Sequence, residues 1–393
     1  MNARPSPSSP RQAPACSGRA CPYHRPAPGD EQAVDLLRSL VSIPSVSGDE
    51  GQAAGYLASW LDEHGVGASI DPSGSVVGIA AGSDTGRPWR DVVLLGHIDT
   101  VPGHITVRVE EGELWGRGSV DAKGSLAAFA VAAVGLTIPP GVRLVVIGAT
   151  EEESPSSRGA NHAAGVFNPQ ACVIGEPSGH EAVTIAYKGR LVAHARIDLP
   201  AGHSAGPHAG ASERAVECWS RARSLAEAIN PDAQGIFGRV QARLQRIASA
   251  NDGLRDTAEL EVGFRLPPGV DPLEIENSLR REWMDVCAVF RGHEFAYSGD
   301  PRSWLAGAFT AAIRGRGATP RLLRKTGTSD MNVVARRWGC PIVAYGPGDS
   351  SLDHAPDERL SIAEYLSGIA TLRAAIPDIL ARVAVAQPPA TRE

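Results

Sequence analysis

The 393-residue sequence has few of the features that mark secreted or membrane proteins. Its six cysteines, at positions 16, 21, 172, 218, 287 and 340, are too scattered to suggest a disulfide framework. No apolar run approaches the roughly 18–20 residues that span a membrane, and residues 1–30 lack the apolar core of a signal peptide. These absences predict a cytoplasmic protein without a membrane partner.

The sequence also lacks an excess of positive charge. Its 38 Lys and Arg residues stand against 44 Asp and Glu residues, which gives a formal net charge of −6. This balance argues against a nucleic-acid partner. A hydrophobic content of 42% is typical of a globular protein, and the length predicts two or three domains.

Residues 1–30 differ from the rest of the chain, because they contain seven prolines and four arginines and show no apolar periodicity. This composition predicts a disordered tail. Cys16, Cys21 and His24 lie within it and have the residue types of a metal knuckle. Without a fourth ligand, and among prolines, they do not favour such a site.

Apolar patterns predict two kinds of architecture along the remaining chain. At 31–179 and again at 296–393, short apolar strands alternate with helices, as in a three-layer α/β/α sheet with helices on both faces. Between 180 and 295, strands with period-two stretches are joined by helices. We therefore expect a large α/β domain interrupted by a smaller α+β domain.

Ligand-type residues follow the predicted strands of the large domain, and sites in such sheets form beyond the strand carboxyl ends. His97 and Asp99 end one strand and point to the same face. The Asp99 carboxylate is thus placed to orient the ring of a metal-bound His97. A strand-end histidine beside a solvated aspartate explains this pair equally well.

Further oxygen and nitrogen donors follow other strands and loops. Asp121 lies between glycines just before a helix, a position that an N-cap residue also takes. The three acids 151–153 stand at the mouth of a buried strand, where they repel one another unless a cation is present. With one of these glutamates, His97, Asp121, Glu176 and His354 make a thiol-free donor set that suits two Zn²⁺ ions.

Five ordered motifs resemble those of the di-zinc aminoacylase/carboxypeptidase metallopeptidases. They are Gly-His-Ile-Asp-Thr-Val-Pro at 96–102, Gly-Arg-Gly-Ser-Val-Asp-Ala-Lys-Gly at 116–124, Glu-Glu-Glu at 151–153, Gly-Glu-Pro-Ser at 175–178 and Asp-His-Ala-Pro-Asp-Glu at 353–358. The resemblance covers about residues 31–385. It implies a zinc-dependent hydrolase of linear amide bonds, in which 31–179 and 296–393 form the catalytic domain and 180–295 a lid and dimerisation domain.

The resemblance also implies a metal-ligand set. His97, Asp121 and Glu176 would bind one zinc, and Asp121 would bridge to a second zinc held by Glu153 and His354. Co²⁺ is an alternative metal.

The resemblance leaves the register of the catalytic acid open, because the family has two functional acids where this chain has three. The Ser-Arg-Gly that follows favours Glu152 as general base and Glu153 as ligand, although a shift by one residue stays open. Glu152 would take a proton from water and pass it to the leaving amine. Asp99 would orient His97.

Two residues of the predicted inserted domain match further motifs of the family. His203, in the run Ala-Gly-His-Ser-Ala-Gly-Pro at 201–207, matches a lid histidine that reaches the partner subunit's site in a homodimer, where it would donate to the oxyanion. His208 is a weaker candidate for the same role. Arg265 matches an arginine that binds a substrate carboxylate, but a structural salt bridge explains it nearly as well.

The loop formed by Lys325, Thr326, Gly327, Thr328 and Ser329 is predicted to bind substrate. With Glu-Glu-Glu-Ser-Pro-Ser-Ser-Arg-Gly at 151–159, it is most similar to hydrolases that release lysine or ornithine from the C-terminal glutamate of an amino-group carrier protein. Such enzymes serve lysine or arginine biosynthesis, or natural-product pathways.

The charge around this loop agrees with an acidic protein substrate. The segment from 314 to 337 contains seven Lys and Arg residues but a single acid, Asp330. Such a patch would attract a small acidic carrier protein, although solvated basic faces are common.

Two other functions stay open. One is a small-molecule N-acyl-amino-acid deacylase, acting on N-acetyl-ornithine or N-acetyl-lysine, or a dipeptidase. The other, a metal-free binding homologue, is disfavoured because all five ligand positions are present.

Overall fold

The computed structural model describes residues 26–203, 205–230 and 233–385. Most of the predicted tail, with Cys16, Cys21 and His24, therefore lies outside the described residues, as does Ser204 of the predicted lid motif. Among the described residues, no helix is both long and apolar enough to cross a membrane.

The elements up to residue 187 are, in chain order, α1 (Asp30–Ser42), α2 (Gly51–Glu63), β1 (Gly67–Ile70), β2 (Val76–Ala81), β3 (Arg90–His97), β4 (Arg108–Glu110), β5 (Glu113–Trp115), α3 (Lys123–Ala133), β6 (Val142–Ala149), α4 (Arg158–Val166), β7 (Ala171–Gly175) and β8 (Ala182–Tyr187). The middle of the chain forms β9 (Gly189–Pro200), α5 (Ala211–Ile229), β10 (Gln241–Asn251), β11 (Arg255–Leu266), α6 (Pro272–Glu282) and β12 (Cys287–Glu294). The last part forms β13 (Tyr297–Ser298), α7 (Trp304–Gly315), β14 (Arg321–Lys325), α8 (Asp330–Val334), β15 (Ile342–Ala344), a 3₁₀ turn (Ser350–Leu352), β16 (Arg359–Ser361) and α9 (Ile362–Val385).

The large sheet has the order β1-β2-β6-β3-β7-β15-β8-β13, with β14 paired to β8. Side chains along its central strands alternate between two apolar layers. One layer packs against α1, α2, α3, α7 and α9, and the other packs against α4 and α8. This confirms the predicted mixed α/β sheet with helices on both faces.

A second, antiparallel sheet has the order β10-β11-β9-β12 and packs against α5 and α6. Its strand β10 was not predicted, because most of its residues are exposed and its polar side chains interrupt the apolar alternation. The structure also differs at β8, which was expected in the inserted segment but pairs with β14 and β15 of the large sheet. Every residue of β8 is buried, as in a central strand, whereas β9 alternates between buried and more exposed positions.

The register of the large sheet places the candidate residues together. Strand β3 runs parallel to both β6 and β7, with His97 opposite Ala149 and Gly96 opposite Gly175. The loops that follow these three strands therefore leave the sheet at one edge. Those loops carry Asp99, the acids 151–153 and Glu176.

Candidate metal centre and active site

His97 ends β3 and is only 1% exposed. Its Nδ1 atom lies 3.4 Å from Oδ1 of Asp99, and its Nε2 atom lies 3.2 Å from Oδ1 of Asp121. One ring nitrogen thus faces the predicted orienting carboxylate, and the other faces the cluster of candidate ligands. A metal-ligating histidine binds the metal through one ring nitrogen and donates a hydrogen bond to a carboxylate through the other.

Asp99 is fully buried and links His97 to the acidic turn. Its Oδ2 atom accepts hydrogen bonds from Ser47 Oγ at 2.7 Å and from the backbone N–H of Glu153 at 3.0 Å. Its Oδ1 atom accepts the backbone N–H of Glu152 at 3.1 Å. One carboxylate therefore holds both the histidine ring and the backbone of two candidate catalytic acids.

Asp121 is held from behind by Glu358, a buried residue that sequence reasoning did not single out. Oε1 of Glu358 accepts the backbone N–H groups of Val120 and Asp121, at 2.9 and 3.2 Å. Arg117 Nη1 donates to the other carboxylate oxygen of Glu358 at 2.7 Å. The acidic run after the last strand of the large sheet was visible in the sequence, but its contact with the Asp121 loop depends on the fold.

The three adjacent glutamates occupy three different environments. Glu151 has a positive φ of 59° and turns outward, where its side chain accepts hydrogen bonds from Ser156 and Arg158. Oε1 of Glu153 lies 2.9 Å from Nε2 of His354. The side chain of Glu152 faces the cavity. Burial raises the pKa of its carboxyl group, and the nearby His97 imidazole offsets this rise only in part.

The side chains fit a metal site. His97, Asp121 and Glu153 each offer one ligand atom, and these atoms lie within 4.8 Å of one another. Nε2 of His354 lies 3.0 Å from Oδ2 of Asp121 and also contacts Glu153. Imidazole nitrogens with carboxylate oxygens are the donor types that Zn²⁺ takes in catalytic sites.

Uncompensated negative charge in the same region is a second reason to expect a bound cation here. Glu176 lines the cavity beside this cluster, and burial together with the charge of Asp121 raises the pKa of the Glu176 carboxyl group. Burial and the charge of Asp121 likewise raise the pKa of Asp353 to about 8. Crowded buried carboxylates are costly, and a bound cation would relieve that cost.

The cluster opens into a cavity of about 450 Å³. The predicted substrate loop and Arg265 line this cavity together with the candidate catalytic and ligand acids; the lining includes Asp121, Glu152, Glu153, Glu176, Arg265, Lys325, Thr326, Gly327, Thr328, Ser329 and His354. The structure therefore brings two separate groups of predicted residues to one space.

The guanidinium of Arg265 lines this cavity and forms no direct ion pair among the described residues. Its Nη1 atom donates to Thr328 Oγ1 at 3.0 Å, and the part of the chain that the structure describes contains no acid within 4.0 Å of its guanidinium. The salt bridge considered as an alternative is thus not formed there. Arg190, which lies opposite Arg265 in the β9–β11 pair, instead pairs with Glu294 at 2.7 Å.

Sequence reasoning missed Arg190, Glu294, Tyr187 and Asp353, which also line the cavity. Arg190 and Glu294 are single charges in strands, and only the strand register reveals that they face a site. Asp353 precedes a candidate ligand and gave a weak signal by that position.

His203 and His208 are exposed, and neither lines the cavity of its own chain. Nδ1 of His203 accepts the backbone N–H of Ala205 at 3.1 Å. Within the described residues of one chain, the predicted oxyanion donor is therefore not brought to the metal cluster.

Comparisons with known proteins match most of the chain. The family model "Peptidase family M20/M25/M40" matches residues 93–378. A relative from Deinococcus radiodurans, named LysW-lysine hydrolase, is 45% identical over 361 residues, which cover 89% of this chain and 98% of the relative. A relative from Saccharolobus islandicus, named LysW-lysine/LysW-ornithine hydrolase, is 25% identical over 356 residues, covering 89% and 96% of the two chains.

Solved structures show the same fold. The M20 family metallo-carboxypeptidase Sso-CP2 from Sulfolobus solfataricus superposes with a TM-score of 0.71 at 16% identity, covering 90% of this chain and all of that one. The chain therefore belongs to peptidase family M20/M25/M40, a family of metal-dependent hydrolases that act on amide bonds.

Proposed function

We propose that the protein hydrolyses the amide that joins lysine, ornithine or a related amino acid to the C-terminal glutamate of a small acidic amino-group carrier protein. One observation carries the proposal: a single cavity connects the cluster of candidate metal ligands with the unpaired guanidinium of Arg265 and the loop 325–329. The 45% identical relative named LysW-lysine hydrolase supports the choice of substrate.

We further propose two Zn²⁺ ions, with Co²⁺ as the alternative. His97, Asp121 and Glu176 would hold one ion, and Glu153 and His354 would hold the other, with Asp121 shared between them. When bound, such ions polarise a carbonyl group and lower the pKa of water to near neutrality.

In this proposal Glu152 is the general base and then the general acid. Its carboxylate takes the proton of the attacking water and gives it to the leaving amine. Burial raises the pKa of Glu152, so the carboxyl group can hold that proton between the two transfers. Asp99 fixes the tautomer of His97 through Nδ1 and fixes the position of Glu152 through its backbone N–H.

Substrate recognition is assigned to other residues that line the same cavity. The planar guanidinium of Arg265 suits a substrate carboxylate, and Thr328 holds that guanidinium in place. Lys325, Thr326, Gly327 and Ser329 line the adjoining wall.

Positive charge near this wall supports a carrier protein as the substrate. Arg324 and Lys325, the last two residues of β14, both line the cavity. A basic rim of this kind steers an acidic protein to the site and fixes its orientation.

The substrate proposal predicts a preference that kinetics can measure. We expect kcat/KM for a carrier-linked lysine adduct to exceed that for N-acetyl-ornithine by at least tenfold, because only the carrier interacts with the basic rim. Raising the ionic strength should lower kcat/KM for the carrier adduct more than for the acetyl substrate. A higher kcat/KM for N-acetyl-ornithine at low salt would instead assign the protein as a small-molecule deacylase.

We also propose a homodimer formed through the 180–295 segment, whose separate sheet begins at Gly189. His203 of each subunit would then donate to the oxyanion in the partner's site. The exposure of His203 and its absence from the cavity of its own chain support this arrangement.

Mixed dimers test this assignment. His203→Ala and Glu152→Gln are each expected to be nearly inactive, whereas an equal mixture should regain about a quarter of wild-type activity, because half of the dimers carry one intact composite site. His208→Ala alone should stay active. No recovery after verified subunit exchange, or an active monomer, would contradict the proposal.

A further inference from the structure

Three tyrosines are almost completely buried, and their hydroxyl groups differ in environment. The Tyr345 hydroxyl donates to the backbone oxygen of His180 at 2.9 Å, and the Tyr365 hydroxyl donates to that of Ala33 at 3.0 Å. The Tyr187 hydroxyl has no hydrogen-bond partner among the described residues. A buried donor without a partner destabilises a fold, so its retention calls for an explanation.

Tyr187 lies where the chain leaves the large sheet for the second sheet. It is the last residue of β8 and is paired with Lys325 at the start of the predicted substrate loop. Its ring belongs to the apolar layer under α4 and α8, and the residue also lines the cavity beside Glu152 and Glu176. Tyr187 therefore belongs to the lining of the cavity that contains the candidate base.

The hydroxyl group acts as a donor at this position. Burial raises the pKa of Tyr187. The phenol therefore keeps its proton. No acid among the described residues is a hydrogen-bond partner of the hydroxyl, which leaves it able to donate to a molecule in the cavity.

We propose that the Tyr187 hydroxyl is a catalytic hydrogen-bond donor to the oxygen of the scissile amide. The inference rests on the proposed amide hydrolysis in this cavity. The hydrogen bond strengthens as negative charge develops on that oxygen, and no proton is transferred.

The position of Tyr187 favours the amide oxygen over a substrate carboxylate. A carboxylate already has a matching group in Arg265, which Thr328 holds. The amide must lie near Glu152 to be attacked by the water that this base deprotonates. Tyr187 lines the same cavity as Glu152 and Glu176, so we assign its hydroxyl group to the amide.

Tyr187→Phe tests the proposal, because it removes one oxygen atom and keeps the ring. We expect kcat to fall by about 10²-fold, as when other oxyanion donors are removed, while KM stays within about twofold. The melting temperature should stay the same or rise, since the lost hydroxyl has no partner in the folded protein.

Tyr345→Phe and Tyr365→Phe are matched controls, since their hydroxyl groups are bonded and lie outside the cavity lining. These variants should melt at lower temperature and keep wild-type kcat. An unchanged kcat for Tyr187→Phe would overturn the proposal, and so would a melting temperature lowered as in the controls. A raised KM with unchanged kcat would overturn it as well, by assigning the hydroxyl to a ground-state contact.

Each variant is assayed with both carrier-linked lysine and N-acetyl-ornithine. A failure of the Tyr187 proposal can then be distinguished from a failure of the proposed substrate. If the wild type hydrolyses only the acetyl substrate, the carrier proposal fails. The kcat ratio of wild type to Tyr187→Phe on that substrate still decides the role of Tyr187.

Discussion

Replacing Glu152 with Gln is expected to lower kcat by about 10²–10⁴-fold while leaving the metal content of the protein unchanged. The amide of Gln has nearly the shape of the carboxylate but cannot take a proton from water. The backbone bond from residue 152 to Oδ1 of Asp99 does not depend on the side chain. The ligand atoms of His97, Asp121 and Glu153 that lie within 4.8 Å of one another are also untouched.

The two neighbouring acids provide matched controls for this substitution. Glu153→Gln should weaken metal binding, because Oε1 of Glu153 faces His354 within the cluster. Glu151→Gln should behave nearly as wild type, since its side chain turns outward to Ser156 and Arg158. Metal analysis and kcat measured on all three variants assign the acids. Loss of metal from Glu152→Gln would show that base and ligand are displaced by one residue.

Sequence patterns anticipated most of the large sheet and the convergence of the donors. The reason is that β3, β6 and β7 are short, uninterrupted apolar runs, and parallel strands present their carboxyl ends at one edge. His97 and the acidic turn follow directly from those strand ends. The resemblance to the metallopeptidase motifs then supplied the remaining candidate ligands.

Features that depend on contacts between distant segments were not predicted. Glu358 caps the loop of Asp121 across 237 positions of sequence, and Ser47 reaches Asp99 across 52. No local pattern encodes either contact. Arg190, opposite Arg265 on β11, and Glu294, opposite Arg190 on β12, became visible only with the register of β9, β11 and β12.

The roles of the three adjacent glutamates illustrate the same limit. Spacing alone left base and ligand open to a shift by one residue. The outward turn at Glu151, with its positive φ, and the anchoring of the next two backbone N–H groups on Asp99 distinguish the three side chains. Both features need the loop at 45–50 and the strand ends in place, because Glu50 also accepts the N–H of Glu151 at 3.1 Å.

Removal of bound metal is expected to have an even larger effect than the loss of Glu152. The cluster would lose the cations that offset its carboxylates, and the amide carbonyl would lose its polarisation. Treatment with a chelator should therefore reduce hydrolysis to background. Circular dichroism in the same samples would verify that the fold is retained, since its apolar layers do not involve the cluster.

Titration of Zn²⁺ into the chelated protein tests the metal centre most directly, with bound metal and hydrolysis of carrier-linked lysine measured in the same samples. The proposed centre predicts that activity returns with bound Zn²⁺ and reaches its maximum at about two ions per chain. His97→Ala should prevent that recovery. Full hydrolytic activity in protein that holds less than about a tenth of an ion per chain would contradict the metal centre.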